Sequence, residues 1–416
     1  MFGIHHDTFN PARADAATGG IAERGSTAFV PRKAAMMVST MSVHRYGLVA
    51  ALAFVCACDR NVERPAKPAR AVAMQPAAVR PMRPLTVESE PPMKVEERPD
   101  DAAGRPVQDR GAPSVRLERV GRLEVVGDDP FLSLAVQDEM AYLVQGNIET
   151  GKRLRVVDIS QPFQPRIVGS CDLKIYAAAV AVSGRYVYVL DEPRLKIIDV
   201  SDPDRPHEAG SCELGEHLWD LAIQGTQAYV TDLVSVRVVD LSEPAAPKEI
   251  GRCELEEAQG IALAGRHAFV ACDNEGMSIV DIADPLVPRP VGRFAESAGA
   301  ADVAIAGKYA YVAGGEDAVT LWVVDISDPK RPQAIGKYGD WIAGSVAMLD
   351  DYALIAGGEL DIVDVSIPTA PKQAGSYRDA SFVAVRGGDI FILGDAGFSI
   401  LRAGRGENGR DERIAK

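Results

Sequence analysis

The sequence predicts an all-β protein, and more closely a seven-bladed β-propeller built from four-stranded blades. Three repeated features lead to this prediction: six copies of a β-branched run that ends in Asp-x-Ser/Ala-x-Pro, seven copies of a short apolar segment that contains alanine, and seven copies of a glycine. A repeat of about 40 residues made of short β-branched runs is typical of propeller blades, whereas helical repeats show a 3.6-residue pattern.

The motif is the strongest of these signals. Its copies begin at Leu154, Leu195, Val236, Met277, Leu321 and Leu360, and their aspartates are Asp158, Asp199, Asp240, Asp281, Asp325 and Asp364. We expect each run to be the third strand of a blade and each Asp-x-Ser/Ala-x-Pro to end it, because the Asp side chain can accept a backbone N–H in an Asx turn and Pro cannot continue the ladder.

The motif resembles the LVIVD repeat family of bacterial β-propeller-like surface proteins, and the resemblance covers about 117 to 402. It implies a propeller at the cell surface and says little about activity.

The other two signals supply the blade count. The inner strand contains an alanine, which we expect to let neighbouring blades approach where the ring is narrowest; the seven copies are Ala135, Ala181, Ala222, Ala262, Ala304, Ala347 and Ala384. The outer strand contains a glycine; the seven copies are Gly121, Gly169, Gly210, Gly251, Gly292, Gly336 and Gly375.

The two ends of the repeated region complement each other. Residues 117–123 resemble an outer strand that lacks the rest of its blade, and residues 398–402 resemble a third strand that lacks an outer partner. We therefore predict that 117–123 pairs with 398–402 and closes the ring, with Leu117, Val120 and Leu123 buried.

The residues before the repeats predict an export signal. After His44 and Arg45 an apolar run extends from Tyr46 to Ala57, followed by Cys58. This run is shorter than the about 20 residues that a membrane-spanning helix needs, so it is typical of a secretory signal. Val55-Cys56-Ala57-Cys58 resembles a lipobox and implies a lipid anchor on Cys58; an ordinary cleaved signal is the alternative.

The sequence divides into four segments. Residues 1–57 comprise an upstream stretch and the signal peptide, and 58–115 form a Pro- and Ala-rich tether that we expect to be disordered. Residues 116–404 form the propeller and 405–416 a disordered tail. The start codon and the choice between inner and outer membrane stay open.

Charge excludes one class of partner. Residues 116–416 contain 30 Lys and Arg against 47 Asp and Glu. Such an acidic body repels phosphate backbones and anionic lipid surfaces, so we expect no nucleic-acid partner and membrane contact through the lipid anchor only.

Propellers usually bind ligands on the face made by the loops that lead into the inner strands and the loops that join the second strand to the third. In this sequence those loops contain aromatic and charged residues, which form a candidate binding face: Phe131, Tyr176, Glu216, Trp219, Asp220, Glu257, Asp302, Asp340, Trp341 and Arg378. A solvated acidic rim without a ligand is the alternative interpretation.

A catalytic reading depends on two aspartates. Asp220 and Asp302 occupy equivalent positions just before inner strands, so both are expected at the central channel, where two carboxylates could help to hold Ca²⁺. The alternative function is therefore a calcium-dependent, lactonase-like hydrolase. The matching positions in other blades hold Ser133, Ala179, Gly260, Ser345 and Phe382, which are poor calcium ligands, so we expect no enzyme and no cofactor.

The resulting expectation is a monomeric, exported, membrane-tethered propeller of the cell envelope that binds a protein or a glycan without catalysis. The cysteines of the repeats, Cys171, Cys212, Cys253 and Cys272, are expected to be free and mostly buried, because equivalent positions on splayed blades lie too far apart for a disulfide.

Overall fold

A computed structural model of the chain describes residues 115–123, 129–147, 149, 151–174, 177–314 and 320–403. Within these ranges the regular structure consists of 28 β-strands and no helix. Val115 apart, the predicted signal, tether and tail, with Cys58, lie outside the described residues. No helix of sufficient length and apolarity to cross a membrane occurs in the described part of the chain.

The strands form seven antiparallel four-stranded sheets, as the repeats predict. Blades 1 to 4 run in chain order from the inner to the outer strand. Blade 1 contains β2 (Phe131–Gln137), β3 (Met140–Asn147), β4 (Gly151–Asp158) and β5 (Arg166–Leu173). Blade 2 contains β6 (Ala177–Ser183), β7 (Tyr186–Asp191), β8 (Arg194–Asp199) and β9 (His207–Glu213). Blade 3 contains β10 (Leu221–Gln224), β11 (Gln227–Thr231), β12 (Leu233–Asp240) and β13 (Lys248–Ala258). Blade 4 contains β14 (Ile261–Ala264), β15 (His267–Ala271), β16 (Met277–Asp281) and β17 (Arg289–Phe294).

Blades 5 and 6 follow the same order. Blade 5 contains β18 (Asp302–Ala306), β19 (Tyr309–Ala313), β20 (Leu321–Asp325) and β21 (Gln333–Tyr338). Blade 6 contains β22 (Ser345–Leu349), β23 (Tyr352–Ala356), β24 (Gly358–Asp364) and β25 (Lys372–Ala380). Blade 7 differs, because only three of its strands are consecutive: β26 (Phe382–Arg386), β27 (Asp389–Gly394) and β28 (Gly397–Ala403).

The outer strand of blade 7 is β1 (Leu117–Leu123), which pairs antiparallel with β28 in the register Glu118 to Arg402 and Leu123 to Phe398. The strand pairing predicted for the chain ends is therefore present. Leu117 packs toward blade 6, and Val120 and Leu123 pack toward blade 1. All three are partly buried, less than the sequence predicts, because the outer strand lies at the rim and faces solvent.

The core lies between blades. Buried apolar side chains form seven clusters, and each cluster joins two neighbouring blades. The cluster between blades 7 and 1 contains Leu143 and Val157 from blade 1 and the stacked rings of Phe391 and Phe398 from blade 7. Third strands such as Met277–Asp281 are buried along their whole length, because each is covered on both faces.

The motif aspartates end the third strands as predicted. Each Oδ1 accepts the backbone N–H of the residue two positions later, for example Ser160 to Asp158 and Ser201 to Asp199, both at 2.9 Å. The same Asx turn forms at the other four copies, Asp240, Asp281, Asp325 and Asp364.

The outer-strand glycines have a role that requires a missing side chain. A Cβ at Gly169 of blade 1 would overlap the carbonyl oxygen of Pro203 in the Asp-x-Ser-x-Pro turn of blade 2. The same close approach to the next blade's turn occurs at Gly210, Gly251, Gly292, Gly336 and, from blade 7 to blade 1, Gly121. Blade 7 lacks the motif, and there Gly375 of blade 6 faces the carbonyl oxygen of Val115. The outer-strand glycine of one blade and the Asp-x-Ser/Ala-x-Pro turn of the next blade thus pack directly against each other.

Candidate functional site

The innermost strands are joined at one end of the ring by side chains that precede them. Asp220, before the inner strand of blade 3, accepts the N–H of Leu221 at 2.8 Å through Oδ1 and the N–H of Ile261 in blade 4 at 3.0 Å through Oδ2. The carboxylate thus links one blade to the next. Each oxygen of the group already has a backbone donor.

Asp302 makes the same link two blades further on. Its Oδ1 accepts the N–H of Val303 at 2.8 Å, and its Oδ2 accepts the N–H of Val346 in blade 6 at 2.9 Å. Ser133 is a neutral version of this link, since its hydroxyl accepts the N–H of Val180 in blade 2 at 3.3 Å. The equivalent position in blade 4 is Gly260, where a side chain would not fit, because a Cβ would lie 2.7 Å from the carbonyl oxygen of Ala301.

Both carboxyl groups are surrounded by protein, although each keeps some exposure to solvent. Burial, with a smaller contribution from the charge of Asp302, raises the pKa of Asp220 to about 7. Burial likewise raises the pKa of Asp302 to about 6, against the hydrogen bonds that it accepts from Val346, Val303 and Ser345. Ionisation of either group therefore opposes ionisation of the other.

This pair does not make a calcium site by itself. Ca²⁺ takes about six to eight oxygen ligands, and the four carboxylate oxygens here already accept backbone N–H groups. In the described ranges no group of three or more His, Cys, Asp or Glu side chains could hold a metal ion. The geometry fits a link between blades better than an ion site.

The loop that leads into blade 3 presents part of the candidate binding face to solvent. Leu218 is buried and donates its N–H to Oε1 of Glu192 at 2.8 Å, which fixes the loop against blade 2. On both sides of Leu218 the side chains face solvent: Glu216 and His217 are exposed, and Trp219 is 37% exposed.

The loop that leads into blade 6 is arranged differently. Trp341 is partly buried and donates Nε1–H to Oδ2 of Asp361 at 3.2 Å, and the hydroxyl of Tyr338 donates to the same oxygen at 2.9 Å. Asp340 is exposed beside it, and so is the apolar side chain of Ile342, at 64%. The indole of Trp341 thus stabilises the loop, and Ile342, which the sequence interpretation did not select, is the exposed side chain.

The remaining predicted residues are dispersed. Phe131 is buried between blades 1 and 7 and contributes to packing. Glu257 is exposed, and its carboxylate accepts the backbone and side-chain N–H groups of Asn274 at 3.1 Å. Arg378 is exposed on the outer strand of blade 6. Tyr176 lies outside the described residues.

Comparison with known proteins agrees with this architecture. The model of the LVIVD repeat matches six segments of the chain: 133–173, 176–213, 216–254, 257–295, 298–340 and 342–379. The chain belongs to the LVIVD repeat family. No curated protein sequence matches it.

Two solved structures are similar to this LVIVD repeat protein. A protein from Lactobacillus plantarum is 12% identical with a TM-score of 0.54, over 65% of this chain and 87% of that one. The computationally designed Ika8 protein is 9% identical with a TM-score of 0.48, over 68% of this chain and 99% of that one. At such low identity the first similarity concerns the fold alone.

Proposed function

We propose that this LVIVD repeat protein is a membrane-tethered β-propeller of the cell envelope that binds a protein or a glycan and acts as a non-catalytic scaffold. In this proposal the chain is exported, anchored through a lipid on Cys58, and monomeric. The proline-rich segment 58–115 would hold the propeller away from the membrane.

The observation that carries the proposal is the loop that leads into blade 3. Buried Leu218 fixes this loop, so Glu216, His217 and Trp219 are held in a defined arrangement at the surface. Tryptophan is enriched among the residues that dominate binding energy in interfaces, and a fixed loop loses little conformational entropy on binding. His217 has φ of 66°, an uncommon backbone conformation for a residue other than Gly and one that functional loops often contain.

The charge of the propeller favours a particular partner. With 47 acidic against 30 basic side chains in residues 116–416, the propeller attracts a basic or a neutral hydrogen-bonding surface. Exposed aromatic and acidic side chains on one loop, such as Trp219 and Glu216, suit Lys- or Arg-rich protein surfaces and sugar rings.

Binding is tested by capture from envelope extract with the tethered protein and a Trp219→Ala variant. Phe163→Ala is the matched control, because Phe163 is an aromatic residue, 70% exposed, in the turn between third and outer strands on the opposite face. We expect a basic protein or a glycan that is captured by the wild type and the control and lost with Trp219→Ala. Equal capture by all three proteins would contradict the proposed face.

The tether is tested separately. Metabolic labelling with a palmitate analogue is expected to label the wild-type protein and not Cys58→Ser, and the variant is expected to leave the membrane fraction. Equal labelling of both proteins would contradict the lipid anchor and would leave the binding proposal unaffected.

A further inference from the structure

One position in the third strand varies between the blades, with five residue types in seven blades. It is the second residue of each of the six motif runs and of the matching run 398–402 in blade 7, and it pairs with the second strand of its own blade. Its occupants are Arg155, Lys196, Arg237, Ser278, Trp322, Asp361 and Ser399. Three of the seven are basic, in the consecutive blades 1, 2 and 3.

In blades 2 and 3 the basic residue is neutralised within its own blade. Nζ of Lys196 lies 2.8 Å from Oδ2 of buried Asp191 and 3.5 Å from Glu208. Nε of Arg237 lies 2.6 Å from Oδ2 of buried Asp232, and Nη1 lies 2.9 Å from Glu249. Burial alone would lower the pKa of Lys196 and of Arg237, but these carboxylates outweigh it, so both pKa values are raised.

Blade 1 lacks both carboxylates. The strand register places Gln145 where blades 2 and 3 have Asp191 and Asp232, and Ile167 where they have Glu208 and Glu249. Burial and the neighbouring charge of Arg153 lower the pKa of Arg155, and the charges of Asp129 and Asp172 only partly offset this. Arg155 is thus a partly buried cation without the acid that its two equivalents possess.

A cavity of about 160 Å³ lies beside this guanidinium, lined by Asp129, Gln145, Gly151, Arg153 and Arg155. Nε of Arg155 donates to Oε1 of Gln145 at 2.9 Å, and Nε2 of Gln145 donates to the carbonyl oxygen of Asp129 at 3.2 Å, so Gln145 is held in place. Among the described residues, none accepts a hydrogen bond from the two terminal nitrogens of Arg155.

The acids near the cavity are already engaged. The carboxylate of Asp129 accepts a hydrogen bond from Nδ2 of Asn147, and Asp172 accepts one from Nε of Arg153 at 2.9 Å. Neither forms a hydrogen bond with the guanidinium of Arg155.

We propose that this cavity of blade 1 binds a carboxylate group supplied by another molecule, which would neutralise Arg155 as the acids of blades 2 and 3 neutralise Lys196 and Arg237. The planar guanidinium of Arg155 offers two parallel N–H groups, which match the two oxygens of a carboxylate. The nearby negative charge of Asp129 favours a singly charged group over a phosphate dianion.

The carboxylate has two possible sources, an acidic side chain or C-terminus of a partner protein, or a small free carboxylate. The cavity lies at the end of blade 1 where Gln145 lies near the end of the second strand and Gly151 begins the third strand, which is the end that carries the candidate binding face. In the first case the inference rests on the proposed function and adds an acidic residue to the partner's chemistry; in the second it does not.

Gln145→Asp provides the sharpest test, because it restores in blade 1 the acid of blades 2 and 3. Binding is followed by the Nε–Hε NMR signal of Arg155, assigned with Arg155→Lys, during titration with acetate in the millimolar range. We expect acetate to shift this signal in the wild type and to bind at least about tenfold more weakly to Gln145→Asp. Arg166→Gln is the matched control, since it changes net charge equally but lies at the opposite end of blade 1, 71% exposed, and it should bind as the wild type does.

The two sources are separated by capped peptides. Acetyl-Gly-Gly with a free C-terminus and acetyl-Gly-Asp-Gly-amide test a C-terminal and a side-chain carboxylate, and acetyl-Gly-Gly-amide is the uncharged control. Stronger binding of either acidic peptide than of acetate supports a protein source, and equal or weaker binding supports a small carboxylate.

Three results would overturn the proposal: no shift of the Arg155 signal with acetate, equal binding to the wild type and Gln145→Asp, or a shift caused equally by the amide peptide. The melting temperature of Gln145→Asp reports folding, and we expect it to rise. Trp219→Ala should bind acetate normally, so failure of partner capture and failure of this site are distinguishable.

Discussion

The α-carbon of Gly169 in the outer strand of blade 1 lies so close to the carbonyl oxygen of Pro203 in blade 2 that a Cβ would overlap it. Gly169 does not have a positive φ, so the close approach between blades, and not the backbone conformation, requires glycine at this position. The contact recurs at every junction between neighbouring blades, with Val115 in place of a proline at one of them.

Gly169→Ala should therefore destabilise the propeller strongly. The added methyl group must displace backbone, and overpacking of this kind costs about 3 kcal/mol or more when the neighbour cannot move. Gly184→Ala is the comparison: Gly184 has φ of 60° and open space around it, so strain of about 1–2 kcal/mol is the whole expected cost. Urea unfolding measures both, and a smaller loss for Gly169→Ala than for Gly184→Ala would contradict the contact as the reason for the glycine.

Much of this fold could be predicted from the sequence. The number of blades follows from the recurrent alanines and glycines, and the Asx turns follow from the chemistry of Asp-x-Ser/Ala-x-Pro. The pairing of 117–123 with the last third strand follows from what each end lacks. The alanines, the glycines and the Asp-x-Ser/Ala-x-Pro turns recur along the sequence, so each copy supports the assignment of the others. Each of them can be recognised within a single repeat.

The candidate site could be predicted less well, because its properties depend on neighbours in other strands and blades. The equivalence of Asp220 and Asp302 was visible in the sequence, but their hydrogen bonds to Ile261 and Val346 require the ring. The sequence predicts Trp341 at the surface, because its hydrogen bond to Asp361 in a different strand cannot be seen in the sequence. The missing acid beside Arg155 shows in an alignment of the repeats, yet only the strand register identifies Gln145 as its replacement.

Stability should pass through a maximum as pH changes. Asp220 and Asp302 have raised pKa values, about 7 and about 6, so the folded state binds protons that the unfolded state has released. Their contribution to stability is complete below the unfolded pKa and is lost as pH rises through about 6 to 7. Hydrogen bonds from the serine two residues later lower the pKa of Asp158 and of Asp199 to about 2, and their contribution is lost as pH falls toward that value. We expect maximum stability at about pH 4, because the loss at higher pH begins at the pKa of an unfolded Asp, about 3.9, and the loss at lower pH begins just below it.

Asp220→Asn separates the loss of stability at higher pH from the loss at lower pH. Asparagine does not ionise, so the loss of unfolding free energy between about pH 5 and 8 should become smaller, while the acid limb should stay unchanged. Urea unfolding at a series of pH values measures this, and an unchanged alkaline limb would contradict the raised pKa of Asp220.

Calcium should leave the wild-type melting temperature unchanged; a rise that Asp220→Ala abolishes would instead favour the calcium-dependent alternative.

The four free cysteines of the blades should differ in reactivity. Cys171 is partly exposed, whereas Cys212, Cys253 and Cys272 are buried. Burial raises the pKa of Cys253 to about 11, with further contributions from Glu254 and Cys272, so little of it is thiolate at neutral pH. We expect Cys171 to react first with a disulfide reagent and the other three to react at the rate of unfolding. Fewer than four thiols in the denatured propeller would contradict the unpaired state.

Deletion of residues 115–123 tests how much the opening strand contributes. The deletion removes every hydrogen bond between β1 and β28, uncovers the edge of Gly397–Ala403, and takes away the partly buried side chains of Leu117, Val120 and Leu123. Partial burial of three such side chains is worth roughly 3 kcal/mol, so the melting temperature should fall by about 10 °C and aggregation should increase, because an unpaired strand edge is a template for pairing with another chain. Deletion of residues 408–416, which has the same length and removes no described strand, is the control and should leave the transition in place. If the two deletions melt alike, blade 7 is stable with three strands, and the pairing of β1 with β28 adds little to the free energy of the ring.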